Sequence, residues 1–375
     1  MDDGVKTNKK TYSVVTTTVH IPRLLEAYIK DALQYGRSVE QFIVIGDRKT
    51  PGETASYCLR MEKEYNVRCL YLPPDEQERY LKRWPEFAAF LPWNSITRRN
   101  IGFIVAYEGN ADIVVTIDDD NFIRDKDYLG RHSHVGDAAG MQAVSSRTGW
   151  WNVCDMLEES HHTRFYHRGY PFSKRTGDQE KDLIMKEIHG RVAVNAGLWL
   201  EEPDVDAIAR QDSSLFVTGP AASFKERIAC DVGTWSPFDS QNTALARDVI
   251  PSYCMLPHIG RYDDIWGSYI VRHICDHLGD LVTYGSPLVR QRRNPQSIIK
   301  NIEDEKLGME YTDIFLDGLR SCKLSASDYR GSFSEIARQF PASISKVCES
   351  HNKQPRVFDN VCEGLRLWAG VFKDL

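Results

Sequence analysis

The chain has 375 residues, of which 42% are hydrophobic and 27% charged, and its formal net charge is -6. That composition supports a packed core and excludes bulk disorder. It leaves no broad basic surface for nucleic acid and no bulk attraction to anionic membranes.

The first ten residues are polar, with no basic segment followed by an apolar run. No stretch approaches the roughly 18 apolar residues of a membrane span. These features predict a cytoplasmic protein without a membrane span. Tyr12–Thr17 is rich in β-branched and aromatic residues and predicts a strand. Leu24, Leu25, Tyr28, Ile29, Ala32 and Leu33 then recur at helical spacing, with Pro22 suited to the start and Gly36 to the end. Phe42–Ile45 reads as a second strand, residues 53–65 as a helix and residues 67–72 as a third strand. A helix over Ile96–Tyr107 leads into a strand over Asp112–Ile117. This alternation implies βαβ units around a mostly parallel, Rossmann-type sheet flanked by helices. Residues 125–250 show no clear period. Past about residue 305 the pattern is helical, and Val357/Phe358, Val361/Cys362, Leu365, Trp368 and Phe372 share one face. We expect a catalytic α/β domain over 1–300 and a helical region over 301–375. The helical tail packs on the sheet or on a partner subunit. The nine cysteines include no Cys-x-x-Cys pair and read as reduced, mostly buried thiols.

The sharpest chemical signal is Asp118-Asp119-Asp120, directly after the strand ending at Ile117. Open α/β sheets bind ligands at the carboxyl ends of their strands. Crowded carboxylates raise one another's pKa unless a cation is present, and their oxygens suit Mg²⁺ or Mn²⁺. An isolated Asp-x-Asp is equally an acidic turn. After three βα units it resembles the nucleotide-sugar glycosyltransferases of the GT-A fold. That resemblance implies that Asp118 and Asp120 hold the metal, with Asp119 among the substrate contacts.

Further motifs follow in order: Arg168-Gly169-Tyr170-Pro171-Phe172-Ser173, Gly197-Leu198-Trp199-Leu200, Pro203-Asp204-Val205-Asp206, Gly260-Arg261-Tyr262-Asp263-Asp264-Ile265-Trp266, and Ile274-Cys275-Asp276-His277-Leu278-Gly279. Together with the aspartate segment they closely resemble the reversibly glycosylated polypeptides of plants, the UDP-arabinopyranose mutases. The likeness is strong over residues 95–285 and holds only in pattern outside them. It implies a flavin-free, Mn²⁺- or Mg²⁺-dependent enzyme that converts a nucleotide-linked pyranose to the furanose, and a possible homo-oligomer. It also implies sugar attachment at the arginine heading the first motif, here Arg168, and a need for a second arginine seven residues on, here Arg175. The chain departs from the plant pattern in two places. Gly46-Asp47-Arg48 replaces an Asp-Gly-Asp. Arg290-Gln291-Arg292-Arg293 precedes Asn294-Pro295 where a Tyr-His-Ser-Lys is usual, so a histidine able to ligate the metal is missing there. UDP and GDP both stay open as the nucleotide, and arabinose, galactose or a 6-deoxy sugar as the sugar.

Ring contraction requires the C1–O bond to the diphosphate to break, and cations stabilise the departing charge. Arg99 and the run Arg290–Arg293 are candidate clamps, although Arg292 and Arg293 equally suit a solvated charged face. One of Asp263 and Asp264 is expected to hold sugar hydroxyls and assist proton transfer at the 4-hydroxyl, the other to cap the helix that follows. Arg261 lies beside them as a further substrate contact. Trp199 and Trp266 either stack on the sugar or fill the core. Asp47 is placed to meet the base or ribose. His132/His134 and His161/His162 read as loop residues with no zinc-like spacing. Two other functions share the Asp-x-Asp: a glycosyltransferase with an external acceptor, and a self-glycosylating carrier. A flavin mutase is excluded, because Thr16-Thr17-Thr18-Val19 follows the first strand without a Gly-x-Gly-x-x-Gly turn.

Overall fold

The computed structural model describes residues 10–175, 182–224, 227–293 and 297–375. Its first third follows the predicted alternation. β1 (Thr11–Thr17) leads to α1 (Leu25–Gln34), which buries Leu25, Tyr28, Ile29 and Ala32. Gly36 ends that turn at φ +59°, a conformation that favours glycine. β2 (Ser38–Ile45), α2 (Glu53–Tyr65) and β3 (Cys69–Leu72) follow. Two short helices, α3 (Pro74–Leu81) and α4 (Pro85–Phe90), carry proline in their first turns. The helix before the metal strand divides into a 3₁₀ turn, Ile96–Arg98, and α5 (Arg99–Glu108). β4 (Ile113–Ile117) is buried throughout.

The middle that lacked a readable period holds β5 (Asn121–Ile123), α6 (Tyr128–Arg131), β6 (Ala138–Ser146) and β7 (Leu157–Glu159). It continues with β8 (Leu183–Glu201), α7 (Ala207–Asp212), β9 (Val217–Pro220), β10 (Ile228–Cys230) and β11 (Asn242–Ala246). Then come α8 (Asp263–Leu278), β12 (Leu281–Gln291), α9 (Ile298–Arg320), α10 (Tyr329–Ser350) and α11 (Asp359–Lys373).

The sheet runs β3-β2-β1-β4-β11-β8-β6-β10-β12-β5. Its first four strands are parallel, and β11 then lies antiparallel between β4 and β8. The four parallel strands and their helices are the α/β arrangement expected from the sequence. The 19-residue β8 explains the illegible middle. Its first half pairs with β6 and its second half with β12, so β8, β6, β10 and β12 close a circuit. One strand thus serves two environments, exposed and then buried, and no single period describes it.

The C-terminal helices pack on their own chain. In α11, Val361, Leu365, Trp368 and Phe372 are buried, and Trp368 donates to the Pro251 carbonyl at 3.0 Å. All nine cysteines are free, and eight are buried. His132 and His134 lie in the turn between α6 and β6, as the loop reading expected, and desolvation there lowers their pKa to about 3 and about 4. Among the described residues no helix is long and apolar enough to cross a membrane.

Candidate active site

Secondary structure converges on one polar cavity of about 570 Å³ at the carboxyl end of β4. Asp118, Asp119 and Asp120 form one wall. Arg168, Asp204, Arg261, Asp263, Asp264 and Arg293 form the facing one, and the first turns of α9 bring in Lys300 and Asp304. A larger groove of about 1100 Å³ lies along the free edge of the sheet at β3 and holds none of the predicted residues.

On the first wall each aspartate has a different partner. Asp118 accepts from Arg99 Nη2, Asp119 from the Thr18 hydroxyl at 2.6 Å, and Asp120 from Asn121 Nδ2 at 2.8 Å. Burial and the neighbouring Asp118 push Asp120 up to about 7, and burial also raises Asp119. Arg99 is fully buried. It donates to Thr17 Oγ1, Ser240 O and Oγ, and Asp118, so its hydrogens are spent on the fold. The expected diphosphate clamp is therefore a support for Asp118.

On the facing wall Arg168 is 7% exposed and doubly ion-paired. Its Nε and Nη2 donate to Asp204 and its Nη1 to Asp264 and the Arg261 carbonyl. Burial opposes the charge, but the two carboxylates more than offset it and hold the guanidinium strongly protonated. Gly169 next to it has φ +83°, and a Cβ there would lie 2.1 Å from Ile265. Glycine thus lets Arg168 turn inward at the start of α8. Gly260 has φ +73°, and a Cβ there would meet the Asp304 carbonyl at 1.8 Å, so glycine also seats α9 against the site.

Asp263 and Asp264 are separated by their surroundings. Burial raises Asp264, but Arg168 outweighs it, and Ser240 N and Oγ also donate to it; its pKa falls. Among the described residues the Asp263 carboxylate accepts only from the Asp264 amide, at 2.8 Å; burial and the Asp264 charge push it up to about 7. Neither side chain caps α8, although both negative charges suit its first turn.

The family described as reversibly glycosylated polypeptide matches residues 85–375. The chain belongs to this family. The match runs through the C-terminal helices, farther than the motifs alone. UDP-arabinopyranose mutase 1 of Arabidopsis thaliana is 25% identical over 277 residues, 70% of this chain and 69% of that protein. UDP-arabinopyranose mutase 1 of Oryza sativa subsp. japonica is 31% identical over 209 residues, 52% of this chain and 51% of that one. Among solved structures, glucosyl-3-phosphoglycerate synthase from Mycobacterium tuberculosis aligns with a TM-score of 0.41 and 12% identity, over 84% of this chain and 82% of that one.

Several residues expected at the site lie elsewhere. Trp199 is wholly buried against Phe165 and His167, and Trp266 is stacked on Phe315 at 4.4 Å, so both fill the core. Arg290 and Arg292 are half or more exposed and pair with Glu201, away from the cavity. Of the three arginines in that run only Arg293 lines it, beside Gln291, and it donates to Asp204 at 2.8 Å. Side chains alternate along an extended segment, which sends 290 and 292 to one side and 291 and 293 to the other. Asn294-Pro295 lies outside the described residues. Arg175 stands outside the cavity, 2.8 Å from Asp206 and over the Phe172 ring at 3.9 Å. Asp47 lines a smaller adjoining hollow of about 170 Å³, and its carboxylate accepts the amides of Arg48, Asn94 and Ser95.

Asp204, Ser240, Gln241, Lys300 and the histidine beside Arg168 had no role assignable from the sequence alone. Asp204 stood inside a quoted motif; the others carried no signal of their own. His167, Asp204 and Asp239 bring three ligand-type atoms within 4.8 Å of one another. Asp204 already accepts from Arg168 and Arg293, so two guanidinium groups would face any cation there. That cluster is better read as an ionic network than as a metal centre.

Proposed function

We propose that this protein interconverts the pyranose and furanose forms of a nucleoside-diphosphate sugar, with Mn²⁺ or Mg²⁺ held by Asp118 and Asp120. The names of the relatives make UDP-arabinopyranose the first donor to test. One observation carries the reading. In a chain of this family, a carboxylate wall faces a pair of adjacent aspartates whose affinities for protons are driven apart.

The residues present fit a divalent ion. The cavity lining holds seven carboxylates against four arginines and one lysine, a deficit of two positive charges. Asp120, held near neutrality by burial and Asp118, gains a reason to ionise when a cation arrives. The ion, when bound, supplies positive charge that offsets the diphosphate and eases its departure from C1.

The chain's own residues supply the rest. Arg293, Arg261 and Lys300 face the leaving diphosphate and take up its growing charge. As the C1–O bond breaks, its electron pair leaves with the diphosphate. O4 of the sugar then bonds to C1 and gives its proton to Asp263. The diphosphate returns to C1 as the C1–O5 bond breaks, and O5 takes the proton back from Asp263. The product has the mass of the substrate. Asp264 stays ionised beside Arg168 and holds sugar hydroxyls. Arg168 acts as a fixed cation, because its N–H groups are committed to carboxylates and a protonated guanidinium is a poor nucleophile.

The test is to incubate the protein with Mn²⁺ and a panel of UDP- and GDP-linked pyranoses, without acceptor, and to separate the products by chromatography and NMR. A furanose of unchanged mass from one donor establishes the mutase and names its substrate. Free diphosphate with labelled protein, or no furanose from any donor, would replace it with a transferase or a self-glycosylated carrier.

A further inference from the structure

Beneath the cavity floor runs a line of buried polar contacts that the chemistry above does not use. It starts at the carbonyl of Arg168, which lies 2.7 Å from His167 Nδ1. His167 Nε2 is 3.3 Å from Asp239 Oδ2. Gln241 Nε2 donates to that same oxygen at 2.7 Å. Asn121 Nδ2 donates to Gln241 Oε1 at 3.3 Å and to Asp120 Oδ1 at 2.8 Å. The line therefore joins the arginine wall to the carboxylate wall. His167, Asp239, Gln241 and Asn121 are each at most 3% exposed, and the His167 ring packs 6.0 Å from that of Trp199.

The polarity of the line is set by chemistry. A carbonyl can only accept, so His167 Nδ1 carries a hydrogen. The contact between His167 Nε2 and Asp239 needs a second hydrogen, on one partner or the other. The amide of Asn121 faces two oxygens, so turning it over would set oxygen against oxygen. Gln241 is fixed likewise, because it accepts from Asn121 and donates to Asp239. This line offers a disturbance at His167 a directed route that ends on Asp120.

We propose that His167 and Asp239 are positioning residues that set Arg168 and Asp120 as one unit, so that a change at His167 alters cation binding at a carboxylate it does not touch. The proposal rests on the reading of Asp120 as a metal carboxylate. Partners behind a ligand are worth about 10- to 100-fold in metal affinity elsewhere.

The two halves of the link can be cut separately. In His167→Asn the amide nitrogen stands in for Nδ1 and keeps the Arg168 carbonyl but loses Asp239. In His167→Gln it stands in for Nε2 and keeps Asp239 but loses the carbonyl. Mn²⁺ affinity is measured without substrate, by electron paramagnetic resonance, with thermal melting as the check on folding. His167→Asn weakens Mn²⁺ binding about tenfold, and His167→Gln stays within about threefold of wild type. Equal Mn²⁺ affinity in wild type and folded His167→Asn overturns the proposal. If the wild type binds no Mn²⁺, the metal reading fails by itself. The side-chain amide NMR signals of Asn121 and Gln241 then decide, because they shift in His167→Asn if the line is coupled and stay in place if it is not. Should His167→Asn not fold, Gln241→Ala, which cuts the same line from the cavity side, carries the same Mn²⁺ comparison.

Discussion

The two walls of the cavity are built in opposite ways. The carboxylate wall comes from three consecutive residues at the end of one strand. The facing wall is gathered from the Arg168 loop, the loop after β8, the start of α8 and the residues that close β12. A contiguous wall depends on one strand reaching the right place. A gathered wall depends on register, turns and helix packing over more than a hundred residues, so its parts should tolerate substitution less evenly.

The largest effect should come from the contiguous wall. Asp120→Asn keeps the shape and the hydrogen bond to Asn121 but removes the charge that a cation needs. Turnover should fall about 10³-fold, with the melting temperature little changed. A fall of less than tenfold would break the assignment of this wall to the metal.

Arg168→Lys comes next. It keeps the charge and loses the planar fork that spans Asp204 and Asp264. Turnover should fall about 10²-fold, and lysine should not restore the separation of Asp263 from Asp264. Wild-type turnover in the lysine variant would reduce Arg168 to a point charge.

Asp263→Asn sharpens the comparison through pH. Burial and Asp264 raise Asp263 from 3.8 to about 7 in the folded chain. Between these values the folded protein keeps a proton that the unfolded chain has lost. The stability tied to this group is therefore full below about pH 4 and is lost as pH rises through about 7. Asparagine cannot ionise, so the variant should gain on wild type between pH 5 and pH 8, on the order of 1–3 kcal/mol in denaturant unfolding. A difference that does not change with pH would show that Asp263 titrates normally.

The smallest effect is expected for Arg290→Ala and Arg292→Ala. Both side chains face Glu201 and solvent rather than the cavity. Activity should stay within about twofold of wild type, since exposed pairs contribute little. Arg293→Ala should lose far more, and equal losses at 292 and 293 would contradict the alternation.

Legibility followed the same division. The parallel strands and their helices were readable because each keeps one pattern along its length, a short apolar run buried on both faces for a strand and one buried stripe for a helix. β8 was not, because it changes partners along its length. The aspartates were readable because three like charges after an apolar strand are costly without a purpose. Arg168 was placed by a motif, but its partner Asp204 had no role until the fold brought them together. Trp199 and Trp266 were open to two readings, since aromatic rings suit sugars and cores equally, and only packing could choose the core.

What the sequence determined by itself was local: the periods of strands and helices, the carboxylate run after β4, and the glycines that follow Arg168 and precede Arg261. Each is written in neighbouring residues and governed by backbone sterics or short-range charge. What only the tertiary structure decided was the surroundings of groups close in sequence. It drove the proton affinities of Asp263 and Asp264 apart within one cavity, and it turned Arg293 inward and Arg292 outward. Adjacent residues share a sequence environment but not a physical one. The direction each side chain takes is set by strand pairing and helix packing, and these come from distant parts of the chain.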